Sequence, residues 1–339
     1  MSYIDLTKTR EEAFKLAQTP YKIGDENFGK YSSIYLAATS NVKDTLSLYH
    51  DYESVLALGA TGALGYEALL NGAKKVDLFD INELQRIYYE YLKTAIMILP
   101  YEEFIHYFTL PKQNKYFKKE DIRHLLSNEL YYRISFFLDE DINYVLEPLF
   151  DFFYSPDLIL SSLFRFEFPL TLDYLKKYIS FYNEEEYYKL QSILRKNPSI
   201  IKYHQVSIND VRTYFADNKY DLILLDNVLQ YFYQIPNLET PYKVNMFIDK
   251  ELSKLLNNHG AIAVAYGFEV AADALKISEN IPLTGASNPT AFSNMIIKQA
   301  KKKDLITNLV RKWNHYSYNF IPGVEEDKRE NVVLTYRKR

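Results

Sequence analysis

The alternation of apolar and polar positions across Ser54–Asn82 predicts a strand, a turn, a helix and a second strand. The apolar run at Val55–Leu58 fits a first strand, and Lys75–Phe79, which is followed by an acid, fits a second. Between them, the glycine-bearing stretch GATGALG leads into a short helix, about Tyr66–Asn71, which Gly72 ends as a C-cap does. The pattern therefore indicates a βαβ unit.

The turn of this unit has the composition of a nucleotide site. Gly59, Gly62 and Gly65 allow the backbone to turn sharply and to come close to a ligand. The free N–H groups of the following helix favour a negatively charged or carboxylate-bearing ligand. Asp80 lies 80 − 59 = 21 positions after the first glycine, the spacing at which a carboxylate reaches a ribose hydroxyl. The predicted cofactor-binding residues of this unit are Gly59, Ala60, Thr61, Gly62, Asp80, Ile81 and Asn82.

The C-terminal part of the chain continues the alternation of strands and helices. Ile200–Val206 is the next convincing strand, and Tyr220–Tyr231, YDLILLDNVLQY, contains another. Leu255–Gly267, LLNNHGAIAVAYG, ends a helix and carries a turn and a further strand, and an apolar strand at Asn331–Tyr336 closes the chain. The whole pattern predicts an α/β fold.

These segments resemble the class I S-adenosylmethionine-dependent methyltransferases. YDLILLDNVLQY and LLNNHGAIAVAYG are similar to their fourth and fifth strands, and DLFDIN is similar to the end of their second. The resemblance implies a Rossmann-like fold with a seven-stranded, mostly parallel sheet, and S-adenosylmethionine as the cofactor. One departure is Ala57, which stands where the family has an acid, so another group must hold the methionine amino group.

The same resemblance implies roles for residues that follow the later strands. Ser207 and Asn209 would contact the adenine, and Asp226 and Asn227 would face the methionine end of the cofactor and the acceptor. Tyr231 lies one helical turn further on and would offer an aromatic face to the sulfonium cation. Asp226, Asn227 and Tyr231 are the candidate catalytic residues, although Asp226 also fits an N-cap of the next helix.

A narrower resemblance leaves open which group is transferred. IYLAATSNVKD and the stretch LKTAIMILPYEEFIHYF at Leu92–Phe108 look like a poorly characterised bacterial family. That family is related to betaine-lipid synthases, which move the 3-amino-3-carboxypropyl arm of S-adenosylmethionine. Transfer of this arm is therefore an alternative to methyl transfer.

Two further alternatives use the same glycine-rich turn. GATGALG matches the spacing of short-chain dehydrogenases, which bind NAD(P), but some fifty residues precede it here. The Tyr-x-x-x-Lys pair that those enzymes need occurs as Tyr89 and Lys93, too early in the chain to face a nicotinamide. The missing acid at Ala57 also fits a ligand-binding protein without catalytic activity.

The domain organisation is predicted from the spacing of the strands. Residues 1–50 form an N-terminal helical segment, and residues 51–95 and 200–339 form the Rossmann-like cofactor-binding domain. Residues 96–199, rich in Tyr, Phe and Leu at helical spacing, form a helical insertion that is expected to cap the substrate side. An aromatic, apolar cap suits a small-molecule or lipid-like acceptor.

Composition narrows the possibilities further. The chain has 339 residues, 47% of them hydrophobic and 25% charged, an ordinary globular composition. The absence of cysteine excludes thiolate catalysis and Cys-ligated zinc, and the six histidines show no metal-binding spacing, so no metal is expected. A net charge of −4 argues against a broad nucleic-acid-binding surface.

No apolar run reaches the length of a membrane span and the N-terminus lacks a signal-peptide core, which favours a cytoplasmic enzyme. The oligomeric state is left open.

Overall fold

The computed structural model describes residues 5–21, 29–38, 40–112, 118–154, 161–165, 170–226, 247–248, 250–266, 316–322 and 330–338. The α-helices in these ranges are α1 (Leu6–Gln18), α2 (Val42–Ser47), α3 (Ala63–Leu70), α4 (Glu83–Ile98), α5 (Tyr101–Phe108), α6 (Lys119–Leu125), α7 (Asn128–Ser135), α8 (Glu140–Phe153), α9 (Leu172–Tyr178), α10 (Glu184–Lys196) and α11 (Val211–Tyr214). The strands are β1 (Ile34–Tyr35), β2 (Ser54–Leu58), β3 (Lys75–Asp80), β4 (Phe164–Arg165), β5 (Ile201–Gln205), β6 (Tyr220–Asp226), β7 (Leu256–Tyr266), β8 (Tyr316–Pro322) and β9 (Glu330–Arg337).

A seven-stranded sheet has the strand order β5-β3-β2-β6-β7-β9-β8. β2 pairs in parallel with β3 and with β6, and β6 pairs in parallel with β7. β9 runs antiparallel to both β7 and β8. The α/β fold expected from the sequence is confirmed, and the sheet is mixed because β9 reverses direction. Val55, Leu56 and Ala57 of β2 are all buried, which explains why this parallel strand has a continuous apolar sequence.

Contacts divide the chain into two compact units. The first unit is Met1–Ala38, Gly59–Leu70 and Asp80–Gln205. The second unit is Thr39–Leu58, Asn71–Phe79 and Val206–Arg339. These units cut across the ranges expected from the sequence, and the division into residues 1–50, 96–199 and the remaining Rossmann-like part stays a prediction.

In the first unit, the regular elements described between β3 and β5 are helices except for the short strand β4. Helix α10 supplies partners for the carbonyl groups that the end of α4 leaves without intrahelical donors. The Gln191 amide donates to the carbonyls of Ile96 and Leu99 at 2.7 Å each, and the Tyr187 hydroxyl donates to the same carbonyls at 3.3 and 3.0 Å. All of these bonds are buried, so α10 and α4 are joined by polar as well as apolar contacts.

In the second unit, a carboxylate joins the amino ends of three strands. Asp221 of β6 accepts hydrogen bonds at Oδ2 from the backbone N–H groups of Glu53 and Ser54, at 3.0 and 2.9 Å, and from the Ser54 hydroxyl at 2.9 Å. The Asn257 amide of β7 donates to Oδ1 at 2.7 Å. Burial alone would raise the pKa of Asp221, but the bonds from Asn257, Ser54 and Glu53 outweigh it and hold the pKa below its usual range.

Candidate functional site

The turn that follows β2 belongs to the first unit and is tightly wound. The Gly62 N–H donates to the Gly59 carbonyl at 2.7 Å, and α3 begins one residue later. Ala60 has a φ of +37° and Gly62 a φ of +83°, both in the left-handed region that residues with a side chain rarely adopt. Ala60 is therefore in a strained conformation that the surrounding contacts must maintain.

Asp80 at the end of β3 supplies one of these contacts. Its Oδ2 accepts a hydrogen bond from the Ala60 N–H at 3.0 Å, and its Oδ1 accepts one from the Asn82 N–H at 2.9 Å. Burial raises the pKa of Asp80 above its ordinary value, although the bonds from Asn82 and Ala60 oppose the shift. The carboxylate therefore binds the glycine-rich turn directly, a contact that was not predicted from the sequence, whereas its predicted contact with a ribose stays a prediction.

Tyrosine rings occupy the space beside two of the glycines. A Cβ added to Gly59 would lie 2.5 Å from Cζ and from the hydroxyl oxygen of Tyr203 in β5. A Cβ added to Gly62 would lie 2.6 Å from Cδ2 and Cε2 of Tyr89 in α4. Tyr89 and Tyr203 also contact each other, with ring centroids 4.8 Å apart. Aromatic packing therefore accounts for both glycines, and close approach of a ligand is not needed to explain them.

The Tyr203 hydroxyl binds the carbonyl group of Ala60. It donates to the Ala60 carbonyl at 3.2 Å, so that the N–H and the C=O of this strained residue are bonded to Asp80 and Tyr203 respectively. Burial and the neighbouring negative charge of Asp80 raise the pKa of Tyr203, which keeps the phenol protonated as a donor. Tyr203 was not predicted as a site residue, because nothing in the sequence around β5 indicates contact with a residue 143 positions earlier.

The two residues after Asp80 have different environments. Asn82 caps α4 by accepting from the Leu84 N–H at 3.1 Å, and it donates to the carbonyls of Ser32 and Ser33 at 3.0 and 3.2 Å. Its side chain is therefore already engaged within the protein. Ile81, in contrast, is 44% exposed. An exposed apolar side chain directly beside a strand-end carboxylate is available to pack on a planar ligand.

Three other predicted cofactor residues lie in less distinctive positions. Thr61 in the first unit is only 3% exposed. In the second unit, the Ser207 hydroxyl accepts from the Asn209 N–H at 3.3 Å in the turn before α11, and the Asn209 side chain is exposed. Ser207 and Asn209 therefore form a local turn, and their predicted contact with adenine stays a prediction.

Asp226 ends β6 in the second unit and pairs with a serine from an earlier part of the chain. The Ser40 hydroxyl donates to Asp226 Oδ2. Asp226 Oδ1 is shielded from solvent and has no hydrogen-bond partner among the described residues. Burial raises the pKa of Asp226 to about 6, although the bond from Ser40 opposes the shift. Asn227 and Tyr231, the other two candidate catalytic residues, lie outside the described residues.

Ser40 was not predicted from the sequence. It directly precedes Asn41, whose side chain accepts from the Asp44 N–H and caps α2. The Ser-Asn pair before an apolar-periodic stretch therefore signals a helix start. It gives no sign that the serine binds a carboxylate 186 positions later.

The described residues contain neither a metal-binding cluster nor a membrane-spanning helix. No group of three or more His, Cys, Asp or Glu side chains in these ranges is arranged to hold a metal ion. No helix in them is long and apolar enough to cross a membrane.

Comparisons with known proteins return structures but no family. No protein-family model matches the chain, and no curated protein matches it. N-methyltransferase NodS from Bradyrhizobium japonicum WM9, in complex with S-adenosyl-L-homocysteine, is 10% identical with a TM-score of 0.33, covering 88% of this chain and 83% of its own. The O-methyltransferase from Bacillus cereus, also in complex with SAH, is 9% identical with a TM-score of 0.34, covering 100% and 93%. The rRNA methyltransferase aviRa from Streptomyces viridochromogenes is 8% identical with a TM-score of 0.35, covering 88% and 82%. Values of this size assign neither a family nor an activity, so function has to be argued from the residues of the chain.

Proposed function

We propose that the protein is an S-adenosylmethionine-dependent transferase, and that it methylates a small-molecule or lipid-like acceptor. The observation that carries the proposal is Asp80, a carboxylate at the end of β3 that is bonded to the turn after β2 and lies beside the exposed Ile81. A strand-end acid in this position is the group that binds a ribose in nucleotide-binding α/β folds. The resemblance to class I methyltransferases in the sequence supports the choice of S-adenosylmethionine over NAD.

The strand order supports a ligand site at this edge of the sheet. β2 is central, the chain passes from it to β3 on one side, and β6 lies on the other side. All three strands are parallel, so their carboxyl ends share one edge. In open α/β sheets ligands bind outside the carboxyl ends of the strands, at the point where the strand order reverses.

Asp80 can bind a ribose only by sharing its carboxylate with donors of the protein itself. Its oxygens accept the N–H groups of Ala60 and Asn82, and the Ile81 N–H and the Tyr203 hydroxyl also stabilise it. A ribose hydroxyl would therefore share or replace one of these donors on a carboxylate that offers about four acceptor positions in total. Ile81 provides an apolar surface for the adenine. The glycines give no independent support, because tyrosine rings fill the space beside them.

Group transfer from a sulfonium requires the protein mainly to align the donor and the acceptor. S-adenosylmethionine, when bound, supplies a carbon attached to a sulfonium. When this carbon is transferred, the rest of the cofactor leaves as a neutral thioether. The protein then has to hold donor and acceptor in line and to keep water away. Asp226, at the end of β6, is the candidate for contact with the acceptor, and Asn227 and Tyr231 follow it in sequence.

The acceptor is narrowed only by class. In the predicted insertion, Phe136 and Phe137 between α7 and α8 are 87% and 66% exposed. Exposed aromatic rings of this kind suit an apolar or lipid-like acceptor. We also propose that the protein is cytoplasmic.

Calorimetric titration tests the cofactor. We expect S-adenosylmethionine to bind and NADH to give no signal, and we expect Asp80→Asn to weaken binding by about 10- to 100-fold, because hydrogen bonds to a charged group are lost. Asp217→Asn, at an exposed acid of the second unit, is the matched control and should bind as the unaltered protein does. Binding of NADH alone, or equal affinity in the Asp80 variant, would contradict the proposal.

The released product identifies the group transferred. With an acceptor pool, methyl transfer releases S-adenosylhomocysteine, and transfer of the 3-amino-3-carboxypropyl arm releases methylthioadenosine. We expect S-adenosylhomocysteine. Accumulation of methylthioadenosine would assign the other transfer.

A further inference from the structure

The two oxygens of Asp226 have unequal environments. Oδ2 accepts the hydrogen bond of the Ser40 hydroxyl, whereas Oδ1 is shielded from solvent and has no donor among the described residues. Ser40 lies just before α2, and Asp226 is the last residue of β6, in register with Ala265 of β7. The carboxylate is thus fixed by one oxygen at the carboxyl edge of the parallel strands.

A buried acceptor without a donor is rare in folded proteins, and each instance calls for an explanation. A ligand that carries an N–H or O–H group would satisfy Oδ1. Because Ser40 already occupies Oδ2, such a ligand would meet the carboxylate at a single defined atom.

We infer that Ser40 positions Asp226 so that its Oδ1 takes the proton of the acceptor, and that the acceptor is a protic nitrogen or oxygen nucleophile. The inference rests on the proposed function and names the substrate class of the same site. Asp226 is the catalytic residue in this assignment, and Ser40 is a positioning residue that acts through it.

The proton balance of the transfer is complete. The nucleophilic nitrogen or oxygen forms a bond to the transferred carbon, and the carbon–sulfur bond of the donor breaks with its electron pair going to sulfur. The proton of the nucleophile goes to Asp226 Oδ1. Acceptors without such a proton, such as thioethers and tertiary amines, need no base and would leave Oδ1 unsatisfied. They are therefore outside the predicted class.

The contact between Ser40 and Asp226 also affects the pH range in which Asp226 can act as a base. Burial raises the pKa of Asp226 to about 6, and the Ser40 hydroxyl opposes this by stabilising the ionised form. The carboxylate is consequently ionised, and able to accept a proton, at neutral pH. Loss of the hydroxyl removes the opposing influence, so the pKa of Asp226 should move further up.

Carbon-13 NMR of the protein labelled at aspartate tests the inference without an acceptor. The Asp226 carboxyl signal is identified by its loss in Asp226→Asn. We expect its pKa near 6 in the unaltered protein, a higher value in Ser40→Ala, and a value near 6 again in Ser40→Thr, which keeps a hydroxyl. An unchanged pKa in Ser40→Ala would overturn the positioning role.

A pair of small probes tests the free oxygen. Imidazole has an N–H group and 1-methylimidazole has none. Imidazole should lower the pKa of Asp226 by donating to the ionised carboxylate, and 1-methylimidazole should leave it unchanged. Equal effects of the two probes would overturn the assignment of a protic ligand.

Turnover and cofactor binding separate this inference from the proposed function. We expect Asp226→Asn to lower kcat by about 10²- to 10⁴-fold, the usual contribution of a general base, while calorimetry shows that the variant still binds S-adenosylmethionine. In Ser40→Ala the rise of kcat with pH should shift to higher pH. If S-adenosylmethionine binds and is turned over but Asp226→Asn retains full kcat, the inference fails and the proposed function stands. If S-adenosylmethionine does not bind at all, the proposed function fails.

Discussion

Gly62→Ala is expected to lower the free energy of unfolding by about 2–5 kcal/mol. Two costs combine at this position. The φ of +83° lies in the region that costs a residue with a Cβ about 1–2 kcal/mol. The added carbon would also lie 2.6 Å from two atoms of the buried Tyr89 ring, and overpacking of a core costs about 1–3 kcal/mol. Urea unfolding followed by circular dichroism measures the loss.

Two other glycines separate these costs. Gly72 has a φ of +102° and open space around it, so Gly72→Ala should show the backbone cost alone. Gly59 is crowded by Tyr203 but is not in the left-handed region, so Gly59→Ala should show the packing cost alone. In the Gly62→Ala background, Tyr89→Leu should recover part of the loss, since neighbouring changes are not additive. A Gly62→Ala effect no larger than that of Gly72→Ala would contradict the packing argument.

Asp221→Ala is expected to destabilise the protein by about 2 kcal/mol at pH 7, a value discounted because the carboxylate is partly exposed to solvent. The change leaves the N–H groups of Glu53 and Ser54 and the amide of Asn257 without their shared acceptor. These donors hold the amino ends of β2, β6 and β7 together. Asp217→Ala, which removes an exposed carboxylate, is the matched control and should have little effect.

The effect of Asp221 should depend on pH in a defined direction. The pKa of Asp221 is lowered in the folded protein, so the ionised carboxylate stabilises the fold at pH values above its unfolded pKa of about 3.9. This contribution is lost as the pH falls through the folded pKa. The difference in unfolding free energy between Asp221→Ala and the unaltered protein should therefore shrink from pH 7 to pH 3. A constant difference across this range would show that the bonds do not depend on ionisation.

Features of the fold that depend on residues close together in the chain could be predicted from local sequence patterns. The apolar run of β2, the turn between β2 and α3, and the position of Asp80 at the end of β3 all follow from the pattern along a short stretch of chain. The predicted helix at Tyr66–Asn71 is in fact Ala63–Leu70, because the turn occupies fewer residues than the run of glycines implied.

The polar contacts of the candidate site could not be predicted in the same way. Ser40 reaches Asp226 across 186 positions, and Tyr203 reaches Ala60 across 143. Such pairs leave no periodicity in the sequence, since each residue type also fits an ordinary local role. The expected ribose contact of Asp80 was likewise predicted from spacing, whereas its bonds to the N–H groups of Ala60 and Asn82 depend on the three-dimensional path of the turn.

The bonds of Asn82 have a consequence for truncation of the chain. The Asn82 amide donates to the carbonyls of Ser32 and Ser33. One turn later, the Gln85 side chain donates to the Tyr35 carbonyl at 3.1 Å and accepts from the Tyr35 N–H at 2.7 Å. The start of α4, and with it the stretch that carries Asp80, is therefore anchored to the N-terminal region. A recombinant fragment that begins at β2 would lack this anchor, and expression trials that trim the N-terminus to reach a minimal domain would remove part of the support of the candidate cofactor site.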